Sequence, residues 1–364
     1  MTAAAAWRDF LDLLAEAGET ITGPSGATNE RERAEGFRHL TRLVSIATEM
    51  IVEKGDPAYP AFTRWMNPHR KQMGDNPGTI YEAAYVDPGR HYRIVGNIGE
   101  STWVGLVLYG TGDDGSRRVA GSLDVTGDDH GDFDLHLAAV EPKDLPPGAT
   151  FVPVAADVTD ILVRQYFHEP GVQAEATYSI EVVGADPAPP PPTEEVIAER
   201  LRKAGQYVRD LIEVEATISA ISETTAPAEI GKPGAPGPTG EVNWAVVNRV
   251  QPAPSIGYAG AWFSDLDDDE AIIVEGVMPP SIYASVQWLN RWMESGDYVH
   301  HQVALTDREL DIAPDGSFSV TLAHRDPGTG PWLDTTGIRN GTFVVRTLGS
   351  EPAPVTYRRV KLPE

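Results

Sequence analysis

The residues best suited to acid–base chemistry are concentrated late in the chain, between residues 283 and 339. This segment contains three Trp and three His together with several Arg and Asp. A histidine held by a carboxylate can exchange a proton with a substrate, and a guanidinium can hold an oxyanion. We therefore predict a site in which these groups face a shared pocket. The predicted catalytic residues are His324, His301, Asp334, Asp326 and Arg291.

The three histidines could also bind a metal ion, with Asp326 completing the ligand set. Neighbouring residues in a strand point to opposite faces, so His300 and His301 cannot both reach one ion without a bulge. Two acidic segments, residues 128–134 and 265–270, supply oxygen ligands but lack the twelve-residue EF-hand pattern. Asp is common in turns, so we interpret both segments as solvated turns and predict no metal site.

A second set of side chains offers hydrogen-bond donors and flat apolar surfaces. Such residues line a pocket for a cyclic or aromatic molecule about as well as they fill a core. A buried arginine among them needs a carboxylate or a ligand. The predicted binding residues are Asn76, Tyr81, Asn97, Arg164, Tyr166, Trp288, Trp292 and Trp332.

Composition and motifs exclude several classes of function. The chain has 29 Lys plus Arg against 54 Asp plus Glu, a formal charge of −25, which repels nucleic acid and anionic membranes. It has no cysteine, so thiolate catalysis and disulfides are excluded. Residues 96–99 lack the third glycine of a dinucleotide fingerprint, and no serine stands in a G-x-S-x-G context. We therefore expect no nucleotide and no other cofactor.

Three stretches have helical periodicity, at residues 7–17, 30–52 and 194–222. The first contains acidic residues that no secretory signal tolerates, and nothing in the chain reaches an apolar run of 18 residues. A cytoplasmic location is the resulting expectation. In the third stretch only Glu215 interrupts the apolar stripe, and Thr193 can cap its start.

Short alternating runs predict two sets of strands, separated by a proline-rich linker and the third helix. The predicted fold is mainly β with α, with two antiparallel domains of β-sandwich or jelly-roll type. Residues 61–99 are predicted to be mostly loop before the strand at 92–97, and residues 226–240 to be either a lid or disordered. The predicted strands are 92–97, 102–109, 119–125, 133–138, 161–167 and 177–183, then 243–250, 257–263, 271–276, 284–289, 301–304, 318–323 and 342–347. The predicted domains are N-terminal helices 1–55, a first β-rich domain 56–184, a linker 185–193, a connecting helix 194–222 and a second β-rich domain 223–364.

Several segments resemble signatures of the domain-of-unknown-function 1214 family, which is common in bacteria. They are DNPGTIY at 75–81, YRIVGN at 92–97, LVRQYF at 162–167, NRW at 290–292, DGSF at 315–318, HRDPG at 324–328 and WLDTTG at 332–337. The resemblance runs over about residues 30–345 and implies a β-rich, two-part fold with a site shared by the two parts. The family pattern has Asn before this Trp and His before the following Arg, where this chain has Pro331 and Ile338. Should either family residue be catalytic, this chain lacks that group.

These features together predict an enzyme of small-molecule metabolism. It would act by acid–base chemistry, as a hydrolase, lyase or isomerase, on an uncharged or carboxylate-bearing organic substrate in a pocket between the domains. The alternative is a binding protein that holds a hydrophobic or carbohydrate-like ligand without catalysis. Assembly into a homo-oligomer through a sheet edge is a third, structural alternative.

Overall fold

The computed structural model describes residues 2–112, 117–185, 188–225, 256–351 and 353–362. The segment at 226–240, predicted to be either a lid or disordered, and the predicted strand at 243–250 lie outside these residues. Within the described ranges, no helix combines the length and apolarity needed to cross a membrane.

Three helices form one side of the molecule, and side-chain caps fix where each begins. They are α1 (Ala3–Thr22), α2 (Glu30–Ala47), which continues into a π-helical turn (Thr48–Glu53), and α3 (Glu194–Thr225). The caps come from Thr2, Asn29 and Thr193, whose side-chain oxygens accept first-turn backbone N–H groups. Helix α1 packs along α3, burying Phe10, Ala17 and Ile21.

The first β unit is a sandwich of two sheets. The larger sheet has the strand order β1-β2-β8-β4-β5 and the smaller β7-β6-β3-β9; all pairs are antiparallel except β6 with β7. Alternate residues such as Leu106, Leu135 and Ile161 fill the space between them. The strands are β1 (Thr63–Met66), β2 (Thr79–Tyr85), β3 (Tyr92–Asn97), β4 (Trp103–Thr111), β5 (Arg117–Asp124), β6 (Asp132–Ala138), β7 (Thr150–Pro153), β8 (Val158–Tyr166) and β9 (Thr177–Val182).

The second β unit repeats this architecture. Its sheets have the orders β10-β16-β12-β13 and β15-β14-β11-β17, and residues such as Phe263, Val286 and Val320 form the core between them. The prediction of a mainly β fold with two sandwich units, an N-terminal helix pair and a long helix is confirmed. The strands are β10 (Ile256–Phe263), β11 (Glu270–Val277), β12 (Tyr283–Leu289), β13 (Ala304–Thr306), β14 (Ser317–Ala323), β15 (Trp332–Asp334), β16 (Gly341–Leu348) and β17 (Val355–Lys361).

The helices cover the outer face of the larger sheet in the first β unit. Tyr81 and Leu162 on that face share an apolar cluster with Leu43 of α2 and Ile212 of α3. Trp292 of the second β unit joins the same cluster, and its indole N–H donates to the Glu32 carbonyl at 2.8 Å. The two units are therefore held together partly through the helices.

Five strands are absent from the predicted set, and one predicted strand is wrong. The expected loop at 61–99 contains β1 and β2, and β2 lies inside the five-stranded sheet. The alternating pattern of β2 lies between two Pro-Gly turns, and these turn signals led to the prediction of a loop. Strands β7, β15 and β17 were also missed. At 301–304 only Ala304 is in a strand, because the preceding residues form a turn closed by the His301 N–H on the Asp297 carbonyl.

Candidate functional site

His301 and Asp334 form a hydrogen-bonded pair in the second β unit. Nδ1 of His301 lies 2.7 Å from Oδ2 of Asp334, and the two side chains are 43% and 17% exposed. Asp334 ends β15, and its N–H donates to the Gln302 carbonyl at 2.8 Å, which fixes the two segments against each other. Among the described residues no hydrogen bond uses Nε2 of His301, so this nitrogen remains available.

The His301 side chain lines a cleft between the two β units. The cleft has a volume of about 570 Å³, within the range of small-molecule sites. The first unit contributes Asn76 and Phe167, and the second contributes Tyr283 and Val303 as well as His301. This space is called the cleft below.

A hydrogen bond across the joint defines one wall of the cleft. The Asn76 side-chain amide donates to the Tyr283 hydroxyl at 3.1 Å, and Nδ2 of Asn76 also donates to Thr79 at 2.7 Å. A methyl group at Gly78 would overlap the Tyr283 hydroxyl, so the two units approach this closely only because residue 78 is glycine. The segment at 75–81 singled out in the sequence therefore lies at the joint.

The other predicted catalytic residues do not line the cleft. Both ring nitrogens of His324 have partners: Nδ1 lies 2.5 Å from the Thr335 hydroxyl and Nε2 lies 3.1 Å from the Leu266 carbonyl oxygen. Asp326 accepts the Gly328 N–H in an exposed turn. These contacts hold loops of the second β unit in place.

Arg291 is fully buried and paired with two carboxylates. Nε lies 2.9 Å from Oε2 of Glu32, at ion-pair distance, and Nη2 donates to Glu223 at 2.5 Å. Burial alone would raise the pKa of Glu32, but hydrogen bonds from Asn340 and Thr28 and the charge of Arg291 lower it. With its charge already compensated, Arg291 ties α2 and α3 to the second β unit.

Four of the predicted binding residues do not line the cleft, and each makes a structural contact of its own. The Trp288 and Trp332 indole N–H groups donate to the carbonyls of Asp334 and Ala323, and Trp292 packs under α2. Asn97 donates to the His130 carbonyl in the turn between β5 and β6. Asn76 is the binding residue that reaches the cleft.

The remaining three, Tyr81, Arg164 and Tyr166, lie together behind the Tyr283 wall of the cleft. Tyr81 pairs with Arg164 across β2 and β8, and the rings of Tyr166 and Tyr283 are 5.0 Å apart. The sequence pattern does not single out the other members of this group. In the sequence, each of these members is an arginine or an aromatic residue within an otherwise apolar strand. The full group, called the arginine–tyrosine cluster below, is Tyr81, Trp103, Tyr109, Arg164, Tyr166, Tyr258, Tyr283 and Arg346.

A buried charge network beside this cluster was also missed. His39 of α2 lies between Glu215 of α3 and Glu294 of the second β unit, at 2.5 and 3.0 Å, and Arg42 donates to Glu294 at 2.5 Å. Although burial alone would raise it, the attraction of His39 and Arg42 lowers the pKa of Glu294 to about 2. The interruption of the α3 stripe at Glu215 was the sequence signal for this network.

Solved structures of other proteins match this chain over nearly its whole length. The crystal structure of an uncharacterized protein from Burkholderia cenocepacia has 30% sequence identity, covers 98% of this chain and 97% of its own, and superimposes with a TM-score of 0.86. A protein structure from Vibrio parahaemolyticus is more distant, with 12% identity, coverage of 98% and 100%, and a TM-score of 0.49. No protein-family model matches the chain, and no curated protein does.

Proposed function

Because this chain belongs to one protein family with the uncharacterized Burkholderia cenocepacia protein, we propose a function for that family: an enzyme of cytoplasmic small-molecule metabolism that uses acid–base chemistry in the cleft. One observation carries this proposal. His301, which is hydrogen-bonded to Asp334, lines a cleft of about 570 Å³ to which both β units contribute.

His301 is the proposed proton carrier. Asp334 accepts the Nδ1–H, which selects the tautomer whose Nε2 is free to take a proton from a substrate in the cleft. Asp334 also stabilises the imidazolium that forms when Nε2 accepts the proton. Its own backbone is fixed by β15, so the pair holds its orientation before a substrate arrives.

The walls of the cleft suit an uncharged organic substrate, or the uncharged part of a larger one. Met66, Pro77 and Ile80, which line the cleft and are only partly buried, supply apolar surface. Arg64, the guanidinium at this edge, is paired with Glu175 at 2.5 Å, so its charge is already balanced. Hydrolysis, elimination and isomerisation each begin with a proton transfer that a His–Asp pair can perform.

Deuterium exchange tests this function without a known substrate. The protein is incubated in D₂O with a pool of small carbonyl compounds and organic acids, and incorporation of deuterium is followed by NMR. We expect wild type to catalyse exchange in at least one compound and His301→Gln to slow it on the order of 100-fold or more. His300→Gln is the matched control, since His300 is an exposed neighbour paired with Asp297 that does not line the cleft. Equal exchange by wild type and His301→Gln removes the pair from the proposal.

A binding protein without catalysis is the second candidate, and one observation favours it. The buried polar groups of the Asn76–Tyr283 wall satisfy one another, as they do in a preformed binding pocket. This candidate predicts ligand binding that His301→Gln leaves intact and no exchange by the wild type.

We also propose that this family is the domain-of-unknown-function 1214 family. The ordered segments quoted above support the assignment, and two of them contain Asn76 and Arg164 at the joint between the units. Superposition of an established member tests it: motif residues of that protein that fall away from residues 75–81 and 162–167 would rule the assignment out.

A further inference from the structure

Arg346, which is buried, and Arg164, which is partly buried, differ from the other arginines at the joints of the molecule. Arg42, Arg291 and Arg359 each form an ion pair with a carboxylate. In the described part of the chain no carboxylate pairs with Arg164 or Arg346, although the protein carries 54 acidic residues. A buried guanidinium without a counter-charge is costly, which makes these two positions candidates for a ligand's charge.

The few hydrogen bonds of the two arginines are to neutral groups. Nη2 of Arg164 donates to the Tyr109 hydroxyl at 2.9 Å. Arg346 donates from Nη1 to the Gln287 side chain at 3.2 Å and from Nη2 to the Gly74 carbonyl at 2.9 Å. These bonds fix the directions of both guanidinium groups and leave their charge uncompensated.

Both cations lie close to the same tyrosines at the joint between the two β units. Tyr81, Tyr166 and Tyr258 interact electrostatically with Arg164 and also with Arg346, although Arg164 belongs to the first β unit and Arg346 to the second. Arg346 lies over the Tyr258 ring, 5.3 Å from its centroid. The joint therefore brings two positive groups and several aromatic rings together.

The phenols of this cluster are neutral hydrogen-bond donors. Burial raises the pKa of Tyr81 to about 12, and it also raises the pKa of Tyr166, so neither ionises near neutral pH. A neutral hydroxyl donates to an acceptor oxygen but does not balance an arginine's charge.

Two buried donors in the cluster have no hydrogen-bond partner within the described part of the chain. They are Nε of Arg164 and the indole Nε1 of Trp103. The two residues are near each other: Gly105 pairs with Arg164 across β4 and β8, and the Trp103 ring covers Gly105 so closely that a methyl group there would overlap it. Buried donors are normally satisfied, so unpaired donors beside an uncompensated cation indicate a missing acceptor.

Other charged groups nearby do not supply this acceptor. Asp75 interacts electrostatically with Tyr81, but its two oxygens accept from the N–H and hydroxyl of Ser295, and Lys71 adds a positive charge on that side. Arg117 stacks over Tyr109 and is neutralised by its own partner, Asp160. Neither carboxylate is left over for Arg164 or Arg346.

We propose that the arginine–tyrosine cluster is a binding site for a small organic acid, whose carboxylate is held by Arg164 and Arg346 and whose flat apolar body lies against the tyrosines and Trp103. A carboxylate matches the planar fork of a guanidinium and accepts the unpaired N–H donors. The aromatic walls favour a ring or another planar group over a bare inorganic ion. This site is separate from the cleft, with Tyr283 common to both, and it does not depend on catalysis by His301.

Calorimetric titration with benzoate tests the proposal on the full-length protein. We expect benzoate to bind wild type, with affinity reduced at least 10-fold in Arg164→Gln and in Arg346→Gln. Arg339→Gln is the matched control, because Arg339 is half exposed and paired with Asp267 at 2.8 Å; its affinity should equal that of wild type. Benzamide, which has the same ring without the charge, should bind at least 10-fold more weakly than benzoate, and inorganic phosphate should also bind more weakly.

Several results would overturn the proposal. They are no benzoate binding to wild type at millimolar concentration, equal binding of benzamide, equal or tighter binding of phosphate, or unchanged affinity in both arginine variants. His301→Gln should bind benzoate as wild type does; loss of binding there would move the ligand to the cleft. Benzoate binding by His301→Gln also distinguishes failure of the proposed anion site from failure of the proposed enzymatic function.

Thermal unfolding without ligand provides a second measurement. Because Arg164 is a partly buried cation with no carboxylate partner among the described residues, Arg164→Gln should leave the melting temperature unchanged or raise it. Arg291→Gln removes the arginine partner of Glu32 and Glu223 and should lower the melting temperature. A melting temperature that falls equally in both variants would assign Arg164 a structural role and contradict the proposal. Should Arg346→Gln fail to fold, Arg164→Gln and the benzoate–benzamide comparison decide.

Discussion

Nε2 of His39 lies 2.5 Å from Oε2 of Glu215, and neither side chain has any exposed surface. This contact joins α2 to α3. The other ring nitrogen of His39 lies 3.0 Å from Glu294, which belongs to the second β unit. The helices and a sandwich are therefore joined through one buried histidine between two glutamates, beside the arginine–tyrosine cluster.

Because the folded protein holds a proton on His39, it should become less stable as the pH rises. Burial alone would lower the pKa of His39, but Glu215 and Glu294 outweigh burial and raise it from 6.5 to about 10. The stabilisation is complete below the unfolded value and is lost as the pH approaches the folded value. Between these limits the free energy of unfolding should fall by about 1.4 kcal/mol per pH unit from this proton.

Urea unfolding at pH 6.5–10 tests this expectation by comparing wild type with His39→Gln. The comparison is needed because burial lowers the pKa of Lys71, and deprotonation of that lysine has the opposite sign at alkaline pH. The slope against pH should be shallower in His39→Gln than in wild type. Equal slopes would mean that His39 is neutral in the folded protein.

Removing the Glu294 carboxylate should destabilise the protein strongly. Glu294→Gln leaves Arg42 without its partner and His39 with only one. Breaking a buried ion pair on one side costs about 3–5 kcal/mol in the free energy of unfolding. Glu199→Gln, in the exposed pair with Lys203, should cost less than about 1 kcal/mol. Urea unfolding at pH 7 measures both, and similar losses would contradict the network's role.

Periodicity and turn residues were sufficient to predict the framework. The apolar faces of α1, α2 and α3 and alternation in strands such as β3 and β6 gave the elements. They failed for β2, because the pattern at 79–85 is short and enclosed by turn signals. Local sequence also could not show that this segment lies against Tyr283, some 200 positions away, since that contact depends on tertiary packing.

The candidate sites were harder to predict, because the partner of a charged residue is not visible in sequence. Arg291 and Arg164 look alike in the chain, each beside aromatic residues. Arg291 pairs with two carboxylates, whereas Arg164 pairs with none of those in the ranges that the structure describes. His301 and Asp334 were singled out by density of chemical groups, and the structure brings them together at 2.7 Å. His324 was singled out in the same way, and its nitrogens are both used in loop contacts.

Gly78→Ala should disrupt the joint between the β units. Its methyl group would overlap the Tyr283 hydroxyl, so either the backbone shifts or the Asn76–Tyr283 hydrogen bond breaks. Overpacking of this kind costs about 1–3 kcal/mol. Gly121→Ala is the control, since its methyl group would meet only Leu108 at an ordinary distance of 3.9 Å. Urea unfolding compares the two, and an unchanged Gly78→Ala protein would mean that the units do not approach this closely.

Met73→Gly should not destabilise the protein, although replacing an ordered residue by glycine usually does. Met73 has φ +48°, a conformation that glycine adopts without strain, and its side chain is substantially exposed. The backbone is held there because the Met73 N–H donates to Glu215 at 2.6 Å and the Gly74 N–H donates to the Met293 carbonyl at 2.7 Å. Relief of strain of about 1 kcal/mol should offset the added entropy of the unfolded chain.

Val299→Gly is the control for this substitution. Val299 is also exposed and outside the helices and strands, but it is not among the residues with positive φ. Its replacement should lower the free energy of unfolding by about 0.4–1 kcal/mol through the unfolded state alone. A larger loss in Met73→Gly than in Val299→Gly would show that the Met73 side chain contributes more than its backbone conformation costs. That result would mean that the Met73 side chain, and not only the contacts of Glu215 and Met293, holds this turn.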